Sequence, residues 1–143
     1  RVALSNIYAL QLLGAEVQLC GPKSLIPKHV TSLGVSVETD LIKALKSSDA
    51  VNMLRVQHER MELSYFPSTR EYAQLYGLTL DKLQTIKKEL VILHPGPINR
   101  GVEITSDVAD SKNAIILDQV ENGVAIRMAI IYLLVAKMNF PST

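Results

Sequence analysis

The chain has 143 residues, 48% of them hydrophobic and 20% charged, which suits one globular domain with its own core and excludes a disordered segment. Fifteen basic residues against fourteen acidic ones leave a formal charge of +1, so no electrostatic footprint for general nucleic-acid binding is present. Cys20 is the only cysteine, which rules out an intramolecular disulfide and points to a reducing compartment.

Residues 3–13 carry apolar side chains on a wide helical face, and Gly14 is placed to end that helix. Residues 16–20 alternate as a strand does, with Cys20 expected as a small buried residue at its end rather than a nucleophile. Gly21 and Pro22 then turn the chain into a second helix, with Pro27 in its first turn, Ile26, Val30 and Leu33 on one face, and Gly34 as its stop. Val35 and Val37 mark the next strand. Asp40 caps a short helix bearing Leu41, Ile42 and Leu45, and residues 50–54 form a further strand.

After Leu54 the regular alternation gives way to about two dozen residues with one helical signal, Ser68 and Glu71 at capping-box spacing before Tyr72, Leu75 and Tyr76. A connection of that length is usually a binding loop or lid. Thr79 caps another helix, with Lys87 and Lys88 near its end, where the helix dipole favours cations. Leu90, Val91, Ile92 and Leu93 read as a buried strand, stopped by Pro95 and Pro97, which hold His94 and Gly96 in extended conformations. A helical turn follows near residue 107, residues 114–117 suit a last brief strand, and a long helix closes the chain. Its stripe of Val120, Val124, Met128, Ile131, Val135 and Met138 is expected to pack on the domain's own sheet.

Strands alternating with helices through short connections predict an α/β fold, doubly wound, with a mainly parallel sheet flanked by helices. Such a domain opens with a strand, whereas this chain opens on a helix, so its first strand is expected to be missing from the sequence. No targeting segment stands out, and the uninterrupted apolar run at residues 128–136 is too short for a membrane span, so a cytoplasmic protein without membrane contact is expected.

Three polar clusters sit where chemistry belongs: Arg1 with Ser5 and Asn6, residues 55–60 after one strand, and residues 94–100 after another. In a parallel sheet the post-strand clusters share an edge, and arginines there suit a dicarboxylate or phosphate through bidentate pairing. No G-x-G-x-x-G, P-loop, nucleophile elbow or zinc spacing occurs, so binding and electrostatics are what these residues offer.

Arg1-Val2-Ala3 leading to Ser5-Asn6, Arg55-Val56-Gln57-His58-Glu59-Arg60, the run from His94-Pro95-Gly96-Pro97 to Asn99-Arg100-Gly101-Val102-Glu103-Ile104, and the closing Gln119, Asn122-Gly123-Val124 and Arg127-Met128-Ala129 together resemble the aspartate-binding domain of aspartate carbamoyltransferases. The likeness covers nearly the whole chain. It implies transfer of a carbamoyl group from carbamoyl phosphate to L-aspartate in pyrimidine biosynthesis, without metal or organic cofactor. It further implies that Arg1, Arg55 and Gln57 bind aspartate, that backbone groups of Gly96 and Pro97 face the carbamoyl group, and that Glu59 and Arg60 serve domain closure. His94, Arg100 and Glu103 would support the loop. The family's carbamoyl-phosphate domain, with its S-T-R-T-R motif, is absent from this sequence, and full-length chains would form a homotrimer. Leu4 stands where close relatives have a second arginine. An ornithine-type transferase would typically have a cysteine at residue 95, and a non-catalytic module of the same fold is the remaining alternative.

Overall fold

The computed structural model describes residues 1–56, 68–86 and 89–139. Gln57, Glu59 and Arg60, the neighbouring His58, and the Lys87-Lys88 pair lie outside the described residues. Six α-helices and four strands are assigned among the described residues: α1 Val2–Leu12, β1 Gln18–Cys20, β2 Ser36–Glu38, α2 Leu41–Ser47, β3 Ala50–Asn52, α3 Thr69–Tyr76, α4 Leu80–Ile86, β4 Val91–Leu93, α5 Ser106–Ala109 and α6 Ile116–Asn139.

Local signals account for most boundaries. The Asp40 carboxylate accepts the Lys43 amide at 3.1 Å, the Ser68 hydroxyl accepts the Glu71 amide at 3.1 Å, and the Thr79 hydroxyl accepts the Lys82 amide at 3.3 Å, so α2, α3 and α4 each start at a side-chain cap. The ammonium of Lys82 donates to the carbonyls of Gln74, Leu75 and Gly77 at 2.7–3.2 Å, closing the end of α3 from the next helix. The helix expected around Pro27 shrinks to a single 3-10 turn, Val30–Leu33, ended by Gly34 at φ 77°. The Gln11 side chain of α1 donates to the Leu33 carbonyl at 2.8 Å and clips that turn in place.

Among the described residues all strand pairing is parallel, as the alternation predicted, but the sheet is not continuous. β1 pairs with β2 and β3 pairs with β4, as two separate ladders. The core divides the same way. Leu41, Leu45, Leu78, Ile92, Ile104, Val108 and others form one cluster around β3 and β4, while Ile7, Val30 and Val35 form a second around β1 and β2. Between the ladders lies a cavity of about 700 Å³.

Two expectations are corrected. The brief strand at residues 114–117 is not formed; the Asn113 carbonyl and the Ile115 amide each bond to Ile92, and α6 begins at Ile116. The helix expected in the excursion after Leu54 from Ser68 and Glu71 is formed as α3, and Leu78 beyond it is fully buried, bridging to Ile104. The closing helix does not pack on its own sheet. Ile116 is buried, but Val120, Val124, Met128, Ile131 and Val135 are 51–66% exposed, as are Ile126, Ile130, Leu133 and Leu134 on its other sides. The Asn113–Ile115 connection fixes the direction in which α6 leaves β4, and that direction carries its apolar surface past the body. Residues 116–136 are also long and apolar enough to cross a bilayer, so the short uninterrupted run at 128–136 excludes nothing by length. Single charges at Asp118, Glu121 and Arg127 interrupt the run without ending the helix.

These packing differences predict a sharp contrast between two truncations. Ile104→Ala removes a fully buried side chain at the junction of β4, α5 and Leu78, and should cost about 2–5 kcal/mol in urea unfolding of this chain. Ile131→Ala on the exposed helix should stay within about 0.5 kcal/mol of the parent.

Candidate functional site

The register of β3 against β4 sets the geometry. Asn52 pairs with Leu93, so the segments leaving the two strands, 53–56 and 94–97, emerge side by side at the carboxyl edge. Arg55 is half-buried there, beside the buried Val56. The Asn99 side-chain amide donates to the Val56 carbonyl at 3.1 Å, which ties the proline loop to the residue after Arg55. Two of the three clusters are therefore brought together as expected. Arg1 is exposed at the start of α1, and its carbonyl accepts the Ser5 amide at 3.0 Å. Gln57, Glu59 and Arg60 continue from Arg55 beyond the described residues.

A buried pair holds the loop. His94 and Glu103 are both fully buried, with Nε2 of His94 3.2 Å from Oε1 of Glu103. The Gly96 amide donates to Nδ1 of His94 at 2.9 Å, so that nitrogen carries no hydrogen and Nε2 is the donor to Glu103. The same carboxylate oxygen accepts the Asn99 amide at 2.6 Å, while the His94 amide donates to the Gln119 side chain at 3.0 Å. One imidazole and one carboxylate thus satisfy both ends of the loop. Oε2 of Glu103 is buried and has no hydrogen-bond partner among the described residues.

Gly96 departs from the extended conformation expected before a proline. Its φ is 65°, and the Gly96-Pro97 bond is cis. Glycine has no Cβ to oppose a positive φ, and the bond to Nδ1 of His94 fixes the turn. Pro95, Gly96 and Pro97 stand exposed at the tip. Arg100 points elsewhere: it makes a bidentate pair with Asp110 at 2.8 and 2.9 Å, which holds the Asp110 carboxyl below its ordinary range. It braces the loop against α5 and does not face the tip.

The structure adds residues that periodicity assigned only to a helix face. Tyr72 and Tyr76 stack with centroids 5.6 Å apart, and the Tyr76 hydroxyl donates to the Thr39 carbonyl at 2.9 Å. α3 thereby lies against the chain just after β2. Burial, with help from the nearby Glu103 charge, pushes the Tyr72 phenol up to about 12. Cys20 corrects a second expectation, being exposed toward the cavity rather than buried. The enclosing walls still desolvate its thiol, and Glu38 and Asp40 add repulsion, raising it to about 11. The described residues contain no group of three or more metal-ligating side chains.

With the half-buried Arg55 and the proline loop at one edge of parallel strands, comparison with known proteins says which family the chain resembles. The family model "Aspartate/ornithine carbamoyltransferase, Asp/Orn binding domain" matches residues 1–134. The chain belongs to that family. It is 69% identical over 138 residues to an aspartate carbamoyltransferase catalytic subunit of Christiangramia forsetii, covering 96% of this chain and 44% of that protein. Among solved structures, the catalytic subunit of M. jannaschii aspartate transcarbamoylase superposes with a TM-score of 0.74 at 28% identity, over 96% of this chain and 46% of that one. An anabolic ornithine carbamoyltransferase from Campylobacter jejuni shares the fold at a TM-score of 0.72 and 19% identity, over 92% of this chain and 47% of that one. The chain spans less than half the length of the curated relatives it matches.

Two outcomes follow from this geometry. Glu103→Ala strands the Asn99 amide and the His94 Nε2 hydrogen in a dry site, at about 1–3 kcal/mol for each orphaned donor, whereas Glu103→Gln keeps an acceptor and should lose much less; urea unfolding of both variants measures the difference. At pH 8, Cys20 should hold roughly a hundredfold less thiolate than an ordinary cysteine, so its alkylation by iodoacetamide should be slow despite its exposure and climb steeply toward pH 11.

Proposed function

We propose that this chain is the aspartate-binding half of an enzyme that transfers the carbamoyl group of carbamoyl phosphate to the amine of L-aspartate. The observation that supports this reading is the hydrogen bond from Asn99 to the Val56 carbonyl, which ties the exposed proline loop to the residue after Arg55. A guanidinium there presents a bidentate fork to a carboxylate, and carbonyls fixed by the His94–Glu103 pair need no reorganisation when they meet the carbamoyl NH₂ group. Arg1 takes the second carboxylate, with Gln57 near the first. The amine lone pair attacks the carbamoyl carbon, the bond from carbon to the phosphate oxygen breaks, and the amine loses a proton. The products are N-carbamoyl-L-aspartate and phosphate.

No step in this scheme calls for a cofactor. Phosphate binding and polarisation of the carbamoyl oxygen fall to the carbamoyl-phosphate domain, and Glu59 and Arg60 to closure of the two domains. The full-length protein would be a cytoplasmic homotrimer serving pyrimidine biosynthesis. Ornithine as the acceptor is disfavoured because Pro95 stands where ornithine enzymes typically have cysteine, and because the 69% identical relative is named for aspartate.

Arg55→Ala in the full-length enzyme should raise the aspartate requirement by about 2–4 kcal/mol of lost binding while leaving carbamoyl-phosphate binding nearly intact. Steady-state kinetics with each substrate varied in turn provide the check, and unchanged aspartate kinetics would remove Arg55 from the site. Residues 1–143 alone should show no turnover, because proximity and closure worth roughly 7–11 kcal/mol need both halves. Activity should return when the carbamoyl-phosphate domain is supplied in trans or in fusion.

A further inference from the structure

Lys82 lies outside the candidate site, in the first turn of α4, and its side chain reaches back over the connection from α3. Its ammonium donates to the carbonyls of Gln74 at 2.8 Å, Leu75 at 3.2 Å and Gly77 at 2.7 Å, one acceptor for each of its three hydrogens. Gln74 and Leu75 belong to the last turn of α3, where carbonyls lack helical partners and the helix dipole favours a cation. Among the described residues no carboxylate pairs with Lys82, so its charge is met by carbonyls alone. Backbone oxygens converging on one unit charge are what a protein offers a small monovalent cation, and here the lysine stem tethers that cation to the chain.

The third carbonyl connects this cage to the site. The Gly77 carbonyl and the Leu78 amide belong to one planar peptide unit, so fixing one fixes the other. The Leu78 amide donates to the Glu103 carbonyl at 2.9 Å, and the Leu78 carbonyl accepts the Thr105 amide at 3.0 Å. The Glu103 side chain in turn holds Nε2 of His94 and the Asn99 amide, and Asn99 holds the Val56 carbonyl next to Arg55. Hydrogen bonds at the two ends of a peptide strengthen each other, because each polarises the group the other uses. A charge at Lys82 therefore reaches the proline loop through one rigid peptide and one buried residue.

We propose that Lys82 is a positioning residue for the candidate site: as a tethered monovalent cation it fixes the Gly77–Leu78 peptide, and through it the Glu103 backbone from which the proline loop and Arg55 are held. The residue type follows from the geometry. Three acceptors surround one point, which the rotatable donors of an ammonium meet and the planar fork of a guanidinium does not. The kinetic consequence rests on the carbamoyl-transfer reading, whereas the structural consequence stands on the hydrogen bonds alone.

The test uses the full-length enzyme with Lys82→Met, which keeps an apolar stem and loses the three donors, and with Lys82→Ala, which empties the cage. In Lys82→Met the amides of Leu78 and Asn99 should exchange about tenfold or more faster, while those of Ile92 and Ser36 keep the parent rate. The kcat/KM for aspartate should fall about tenfold, through KM more than kcat. In Lys82→Ala, propylammonium supplies the missing stem and ammonium and should restore both readouts; tetramethylammonium, a cation without N–H donors, should restore neither. If Lys82→Met does not fold, Lys82→Gln, which keeps two N–H donors without the charge, takes its place. Unchanged exchange at Leu78 and Asn99, faster exchange spread evenly over the domain, unaltered aspartate kinetics in an active enzyme, or equal rescue by tetramethylammonium would each overturn the proposal. Faster exchange at Leu78 and Asn99 in an enzyme whose parent transfers no carbamoyl group would support the positioning role and overturn the reading of the reaction instead.

Discussion

The loop at the carboxyl edge depends on one buried carboxylate. Glu103 draws in the Asn99 amide and the His94 ring through its side chain, while its own backbone carbonyl accepts the Leu78 amide at 2.9 Å. The next residue, Ile104, is fully buried in the larger core cluster. One position therefore connects the end of β4, the proline loop, and the bridge that anchors the chain between α3 and α4. Burial makes this arrangement demanding, because a charge removed from water must be met by directed donors. The fully buried His94 meets it on one side and the Asn99 amide on another. The exposed tip at Gly96 and Pro97 is accessible because everything behind it is held.

Close backbone approach is the second constraint. Gly77 packs against the loop so tightly that an added Cβ would lie 2.6 Å from the Val102 carbonyl. The Leu78 and Thr105 pairing beyond it joins the excursion after β3 to the loop after β4. This contact brings Tyr72 near Glu103 and makes α3 a wall of the carboxyl edge. The apolar surface left over lies elsewhere, on the long α6 and along α1, where Ile7 is the buried residue and Leu12 and Leu13 are largely exposed. Both helices satisfy their own backbones, so they persist without a covered face. An unpaired strand edge has no such internal solution.

What the sequence determined by itself is what local chemistry controls. Asp40, Ser68 and Thr79 cap helices because a side-chain oxygen three residues ahead of an amide can do so whatever the rest of the fold does. Parallel strands alternating with helices, and the joining of Arg55 to the 94–100 loop at one edge, followed from connection lengths and strand polarity. The run from Arg55 to Arg60 followed by the run from His94 to Ile104, with the motifs at Arg1 and Gln119, was enough to name the family. Tertiary structure decided the rest. Whether Val120 to Val135 meets a partner surface depends on the direction in which residues 113–115 release α6, which no periodicity encodes. That Gly96 takes a positive φ depends on His94 Nδ1 being held within reach of its amide, and His94 is held by Glu103, nine residues away. The split of the sheet was visible only once the two ladders stood apart, because hydrogen bonding between strands is a property of neighbours in space.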